Sequence, residues 1–153
     1  MKIIVSCLIF YFFCGCIREK GTQYMAFWKN PTSHNIKIVG YTKGIIQPND
    51  VVDLGPGEEV KVAGGQMRGI FDYAFFFDEF SGVDSVIVTF DQQYKVVHYV
   101  NTPAYPVQKS YTYSSPRNIL NAASYSFKST ELEHGISTEW RYEFTEADYQ
   151  FAL

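Results

Sequence analysis

Between residues 136 and 144 the chain alternates with a period of two. Ile136, Thr138, Trp140, Tyr142 and Phe144 fall on one side, and Ser137, Glu139, Arg141 and Glu143 on the other. An extended strand with one buried face has this pattern, and a slip of one residue would carry Trp140 and Phe144 into water. The same period recurs over shorter runs at Asn35–Val39 and Ser124–Lys128, the latter with Tyr125 and Phe127. It recurs again at Asp84–Phe90, where Val86, Val88 and Phe90 share a side. That last run predicts a hairpin with Tyr94–Tyr99 across Asp91-Gln92-Gln93. Tyr24–Lys29 predicts a first strand, ended by Asn30-Pro31 because proline cannot donate to a central ladder.

Two further short strands, Val51–Leu54 and Glu58–Val62, flank the turn Gly55-Pro56-Gly57, where proline sets one φ and glycine permits positive values. Glu58 and Glu59, neighbours on a strand, point to opposite faces and read as solvated edge charges. Gly64-Gly65 is followed by no Lys-Ser or Lys-Thr and reads as a flexible turn, not a phosphate loop. Helical signals are few. Ser115-Pro116 predicts a single turn through Leu120, with Ser115 as cap and Pro116 in the first helical position. Thr145-Glu146-Ala147-Asp148 predicts a short terminal helix, with Thr145 as cap, Asp148 answering it, and Phe144 and Tyr149 at the staple positions. The pattern predicts an all-β fold: a single antiparallel β-sandwich, immunoglobulin-like or a small barrel as the alternative, with a short C-terminal helix.

Ahead of these elements stands a segment of another kind. Lys2 is followed by an apolar run from Ile3 to Phe13, broken only by Ser6 and Cys7. As a helix this run reaches roughly 20 Å at ~1.5 Å per residue, against a hydrocarbon core ~30 Å thick. It is too short to span, and its basic start and small residue before the break fit an export signal. Phe13-Cys14-Gly15-Cys16 resembles the lipobox of bacterial lipoproteins, in which a small residue precedes the cysteine that is lipidated and becomes the N-terminus. Gly15 and Cys16 match; Phe13 and Cys14 stand where leucine and a small residue are commoner. All three cysteines lie in the first sixteen residues, so the mature chain keeps only Cys16 and forms no internal disulfide. The expected organisation is a signal peptide over 1–15, the lipidated cysteine and a polar linker over 16–23, and one β-rich domain over 24–153. The 137 residues behind Cys16 suffice for one self-sufficient core.

Aromatic residues make up 18% of the chain, a bias that suits strands better than helices. Without Lys2 the 13 basic residues become 12 against 16 acidic ones, a balance of −4. There is no basic block, which argues against nucleic acid as a partner. His34, His98 and His134 show no ligand spacing, no G-x-S-x-G elbow is present, and no cofactor is implied. Carboxylate pairs occur at Asp50 with Asp53, Asp78 with Glu79, and Glu131 with Glu133, but nothing in their spacing sets a catalytic separation. The window Phe71–Phe80, with Phe75, Phe76 and Phe77, is the most aromatic. It reads as core strand plus loop, or as a surface platform flanked by Asp72, Asp78 and Glu79. The loop Asn101–Ser115 carries Tyr105, Tyr111 and Tyr113.

The leader, the run Asp53-Leu54-Gly55-Pro56-Gly57-Glu58, the run Ser115-Pro116-Arg117-Asn118-Ile119-Leu120-Asn121 and the ending Phe144-Thr145-Glu146-Ala147-Asp148-Tyr149 together resemble the small β-rich lipoproteins common in Bacteroidetes. That resemblance brings no established activity. It implies a body outside the cytoplasm, tethered to the envelope, at the outer membrane, by the acyl chains on Cys16. Bacterial lipoproteins usually carry three such chains, and two or more hold a protein stably where one does so only reversibly. The expected function is a non-catalytic binding or interaction module for a protein or glycan. The expected surface is Phe75, Phe76 and Phe77 with Tyr105, Tyr111 and Tyr113. The alternatives are an envelope hydrolase using carboxylates, which requires Asp or Glu from separate strands in one cleft with a raised pKa, and a structural surface subunit, which an exposed edge strand would favour.

Overall fold

The structure, a computed structural model, describes residues 21–68 and 83–153. These residues form β1 (Gly21–Lys29), β2 (Ile36–Thr42), β3 (Ile45–Leu54), β4 (Glu59–Arg68), β5 (Ser85–Phe90), β6 (Tyr94–Tyr99), β7 (Ser110–Tyr111), β8 (Ser126–Leu132), β9 (Gly135–Glu143) and a terminal helix α1 (Glu146–Ala152). One sheet runs β4-β1-β9-β8 and the other β3-β2-β5-β6-β7. One apolar cluster joins them. Ala26, Trp28, Trp140 and Tyr142 come from the first sheet, and Ile36, Ile38, Val86, Val88, Phe90 and Val96 from the second. The sandwich is as expected, and with two separate sheets the barrel alternative falls. The sheets are mixed and not purely antiparallel, because β1 pairs in parallel with β9 and β6 with β7. The cause is topological. The β8–β9 hairpin joins the first sheet only after the chain has built the second, and its inner strand arrives running in the same direction as β1.

In β9, Thr138, Trp140 and Tyr142 are buried and Phe144 follows them inward, as the alternation requires. The β5–β6 hairpin is also as expected, with Val86, Val88 and Phe90 buried. Its turn holds Asp91 and Gln92 at φ of 48° and 61°. Two successive positive values match the twist of the flanking strands, though neither residue is glycine.

Three local expectations are corrected. Gly64 and Gly65 are not a turn but lie inside β4, opposite Met25 and Tyr24. A side chain on Gly65 would meet the Tyr24 ring at 3.1 Å, and the Lys61 side chain lies over Gly64. The glycines are there because neighbouring side chains occupy the space. Ser115–Leu120 is not a helical turn but two consecutive reverse turns, closed by Asn118 N to Ser115 O (3.1 Å) and Asn121 N to Asn118 O (3.0 Å). Side chains take the backbone donors a helix would have used: Ile119 N donates to His98 Nδ1 (3.0 Å) and Leu120 N to Asn118 Oδ1 (2.8 Å). A short 3₁₀ turn falls later, at Ala122–Ser124, capped by Asn121. Finally, β1 begins at Gly21, inside the segment expected to be linker.

The Gly55-Pro56-Gly57 turn joins strands of different sheets, so it is a corner of the sandwich. Asn30, fully buried, holds that corner. Its Nδ2 donates to the carbonyls of His34 (2.7 Å), Leu54 (3.2 Å) and Gly55 (3.0 Å), and its backbone exchanges bonds with Glu58 and Gly57. Glu58 reaches back to Gly55 N (2.7 Å), and Glu59 pairs with Arg141 (2.9 Å), so both acids have structural partners.

These contacts place Lys29, Leu54 and the start of β2 at one end, where α1 also docks by stacking Tyr149 on His34 at 3.6 Å. Register then sends Gly21, Arg68, the β2–β3 turn at Lys43-Gly44, the start of β5 and the β8–β9 turn to the opposite end. At that end Gly135 has φ +144°, and a side chain there would land on the Gly21 carbonyl. Gly135→Ala is expected to lower stability by about 2 kcal/mol or more. Gly44→Ala, at φ +78° with nothing within 4 Å, should cost only about 1 kcal/mol. Urea unfolding of the two variants checks the contrast.

Candidate functional site

The loop between β6 and β7 is exposed at every position from Asn101 to Gln108. Tyr105 stands 94% exposed with Val107 beside it, and Tyr113, past β7, is 46% exposed. Tyr111 is different. It sits in β7, packs on the core, stacks on Phe151 at 4.8 Å and lies 5.1 Å from the His98 ring. Its hydroxyl donates to Asp148 Oδ1 (3.4 Å), and burial followed by the Asp148 charge pushes its pKa up to about 12. Of the three expected surface tyrosines, Tyr105 and Tyr113 are presented outward and Tyr111 anchors the strand beneath them. Phe75, Phe76 and Phe77 lie outside the described residues, as does Cys16.

What holds Tyr111 is a buried ionic centre that the sequence did not announce. Asp148, in the first turn of α1, is nearly inaccessible. It accepts from Arg117 through Nε (3.0 Å) and Nη2, and from Thr145 N (2.8 Å), closing the expected capping box. The Arg117 Nη2 also donates to the Glu143 carbonyl (2.8 Å), and the guanidinium lies 4.6 Å from the centre of the Tyr142 ring. Tyr142 donates back to the Arg117 carbonyl (2.9 Å), its pKa raised by burial and then by Asp148. Next along the chain, Asn118 Nδ2 satisfies the carbonyls of Tyr99 (2.9 Å), Tyr111 (3.3 Å) and Thr112 (2.9 Å). Tyr125 takes the Ile119 carbonyl (2.7 Å) and receives Trp28 Nε1 (2.8 Å). Each of these side chains replaces the ladder bonds that irregular backbone under cover lacks.

The three histidines do not meet. His98 is buried, and its Nδ1 accepts from Ile119 N, which puts the proton on Nε2. Burial, partly offset by Asp148, drives its pKa down to about 3. His34 places Nδ1 2.6 Å from Asp91 Oδ2 and Nε2 3.5 Å from Glu146 Oε2, latching α1 to the β5–β6 turn. The bond from His34, then that from Asn35 N, holds the Asp91 carboxyl below its ordinary range. His134 is exposed beside Glu133. Among the described residues no group of three His, Cys, Asp or Glu is placed to hold a metal.

The carboxylate pairs are likewise separated. Asp50 lies buried over Gly40, its pKa raised by burial, whereas Asp53 points to the other face and pairs with Lys37 at 3.6 Å. A groove of about 550 Å³ runs over the outer face of the second sheet, lined by Lys37, Asp53, Glu58, Thr89 and Gln92 among others. The raised carboxyl, Asp50, is not in it. No family model, curated protein or solved structure matches this chain.

Arg117→Ala should cost about 3–5 kcal/mol, because it strands the Asp148 charge under cover. Replacing both partners with apolar residues, Arg117→Met with Asp148→Leu, should recover much of that loss. Urea midpoints of the three proteins test this.

His98 has a folded pKa below its unfolded value, so its contribution is complete above about pH 6.5. It is lost as pH falls from there toward about 3. The unfolding free energy is expected to drop by up to about 1.4 kcal/mol per pH unit across that window. In His98→Leu that His-linked slope should disappear, even though the variant starts from lower stability. Equilibrium unfolding as a function of pH checks it.

Proposed function

We propose that this chain is an exported, non-catalytic lipoprotein of the cell envelope, tethered through Cys16 at the outer membrane, whose β-sandwich serves as an interaction module for a protein or glycan. The observation that supports the binding half is the β6–β7 loop. It presents Tyr105 and Val107 in full view on a support fixed by Tyr111, Asn118 and the buried ionic centre. Tyrosine offers a large contact area and a polar tip at little entropic cost, the combination that recognition surfaces use. The tether is supported by the leader and by a body whose first strand starts five residues beyond Cys16.

A structural surface subunit is the second reading, and β8 favours it. All seven of its residues are exposed, and it forms one edge of the first sheet, with β9 as its neighbour. Its backbone can take an added strand, although the charged Lys128 and Glu131 act against unselective pairing. A carboxylate hydrolase draws no comparable support, since the desolvated Asp50 and the groove acids Asp53 and Glu58 belong to different places.

Protein purified from native envelopes should give, by mass spectrometry, an N-terminal Cys16 bearing acyl chains. An intact Met1 or an unmodified thiol there would end the tether reading. Tyr105→Ala with Tyr113→Ala should leave the melting temperature within about a degree or two, as exposed substitutions do. The same pair should abolish recovery of the partner that wild type captures reproducibly from envelope extract or on a glycan array.

A further inference from the structure

The β2–β3 turn is built as a finger. Lys43 and Gly44 occupy its two tip positions at φ of 52° and 78°, the conformation of a tight hairpin turn. The first cross-strand pairs behind the tip are Thr42 with Ile45 and Tyr41 with Ile46. Neighbouring residues on a strand face opposite ways, so Ile45 and Ile46 point to the two sides of the finger. Both are out in solvent nonetheless, at 68% and 51% exposed, and Pro48 and Asn49 beyond them are exposed too. The finger therefore projects past the cover of the opposing sheet, with isoleucine on both sides and the half-exposed Tyr41 beside Ile46.

The finger leaves the same end of the sandwich as the start of β1. Gly21 is held there by its pairing with Arg68 and Gly135 and by donation to the His134 carbonyl (3.3 Å). Five residue steps separate Gly21 from Cys16, a reach of at most ~18 Å at ~3.6 Å per residue. Sheets of a sandwich lie ~10 Å apart, so the finger and the tether's point of attachment are near neighbours. On that reading, so short a lead keeps this end of the body within reach of the lipid.

We propose that Ile45 and Ile46 insert into the interfacial zone of the membrane to which Cys16 tethers the chain, making a second contact that fixes the orientation of the sandwich. This rests on the reading of Cys16 as the lipidated residue. The occupant is the bilayer interface, several ångströms of headgroup and upper acyl chain, into which apolar side chains partition while Tyr41 stays at the polar boundary. Recognition rests chiefly on the isoleucines, so it depends only weakly on ionic strength despite Lys43 at the tip. The edge of β8 remains for partners, and the Tyr105 loop, which leaves β6 beside the start of β5, runs back along the sheet edge to β7.

The test uses the full chain, processed in cells and reconstituted in vesicles of phosphatidylethanolamine and phosphatidylglycerol. A fluorescent nitrobenzoxadiazole probe is placed on Gln47→Cys, next to the finger, or on Gln93→Cys, at the opposite end. The Gln47 probe should be quenched by aqueous iodide several-fold less than the Gln93 probe, at low and high salt alike. Ile45→Asp with Ile46→Asp, both at exposed positions, should remove that protection while the protein stays vesicle-bound. Equal quenching at both sites, with mass spectrometry showing acylated Cys16, overturns the inference and leaves the tether standing. An unacylated Cys16 removes the tether and the inference with it. Energy transfer between Gln47 probes that survives dilution into excess lipid would assign the protection to a second copy and also overturn it.

Discussion

A half-buried guanidinium and a buried carboxylate hold the terminal helix of this chain to the rest. Asp148 stands in the first turn of α1 and Arg117 in the irregular segment that leaves the second sheet. Each is tolerable under cover because the other neutralises it and because further donors use the remaining lone pairs. The carboxylate also closes the helix start at Thr145, where the unsatisfied backbone N–H groups favour negative charge. One side chain thus caps a helix, pairs an arginine and takes the hydroxyl of Tyr111.

From that centre the tied regions can be followed outward. Asn118 replaces three missing ladder bonds in the second sheet's edge, and Asn30 does the same at the corner where β3 gives way to β4. His98 and Tyr125 hold the Ile119 peptide from its two sides. These are polar groups spent on backbone, and they make irregular segments as firm as strands. The end that bears α1 is accordingly closed, with His34 bridging Asp91 and Glu146 across Tyr149.

The opposite end is finished differently. Among the described residues, that end carries the β8–β9 turn, a glycine contact between β1 and β9, and the finger with its exposed isoleucines. Ile45 and Ile46 gain nothing from the described core by standing in water. The two ends thus differ: one is latched by the helix and His34, and the other carries the exposed isoleucines of the finger among charged neighbours such as Lys43 and Asp84.

The residues of β9, the β5–β6 hairpin and the capping box of α1 were legible in the sequence because each depends on near neighbours. Alternation records which face is buried, and a cap is read within four residues. The corrections all come from contacts distant along the chain. Ser115-Pro116 starts like a helix, but His98, 21 residues before Ile119, takes the donor that a helix would use. Gly64-Gly65 looks like a turn until Tyr24, on another strand, lies across it. Tyr111 and Tyr113 are two residues apart, and contacts to Asp148, Phe151 and His98, all distant in sequence, make one an anchor and leave the other at the surface. By itself the sequence determined an all-β body, because strand period is a local quantity. The pairing of β1 with β9, the burial of Arg117 against Asp148 and the exposure of Ile45 and Ile46 were decided by tertiary structure alone, since burial depends on which distant segment arrives to cover a residue.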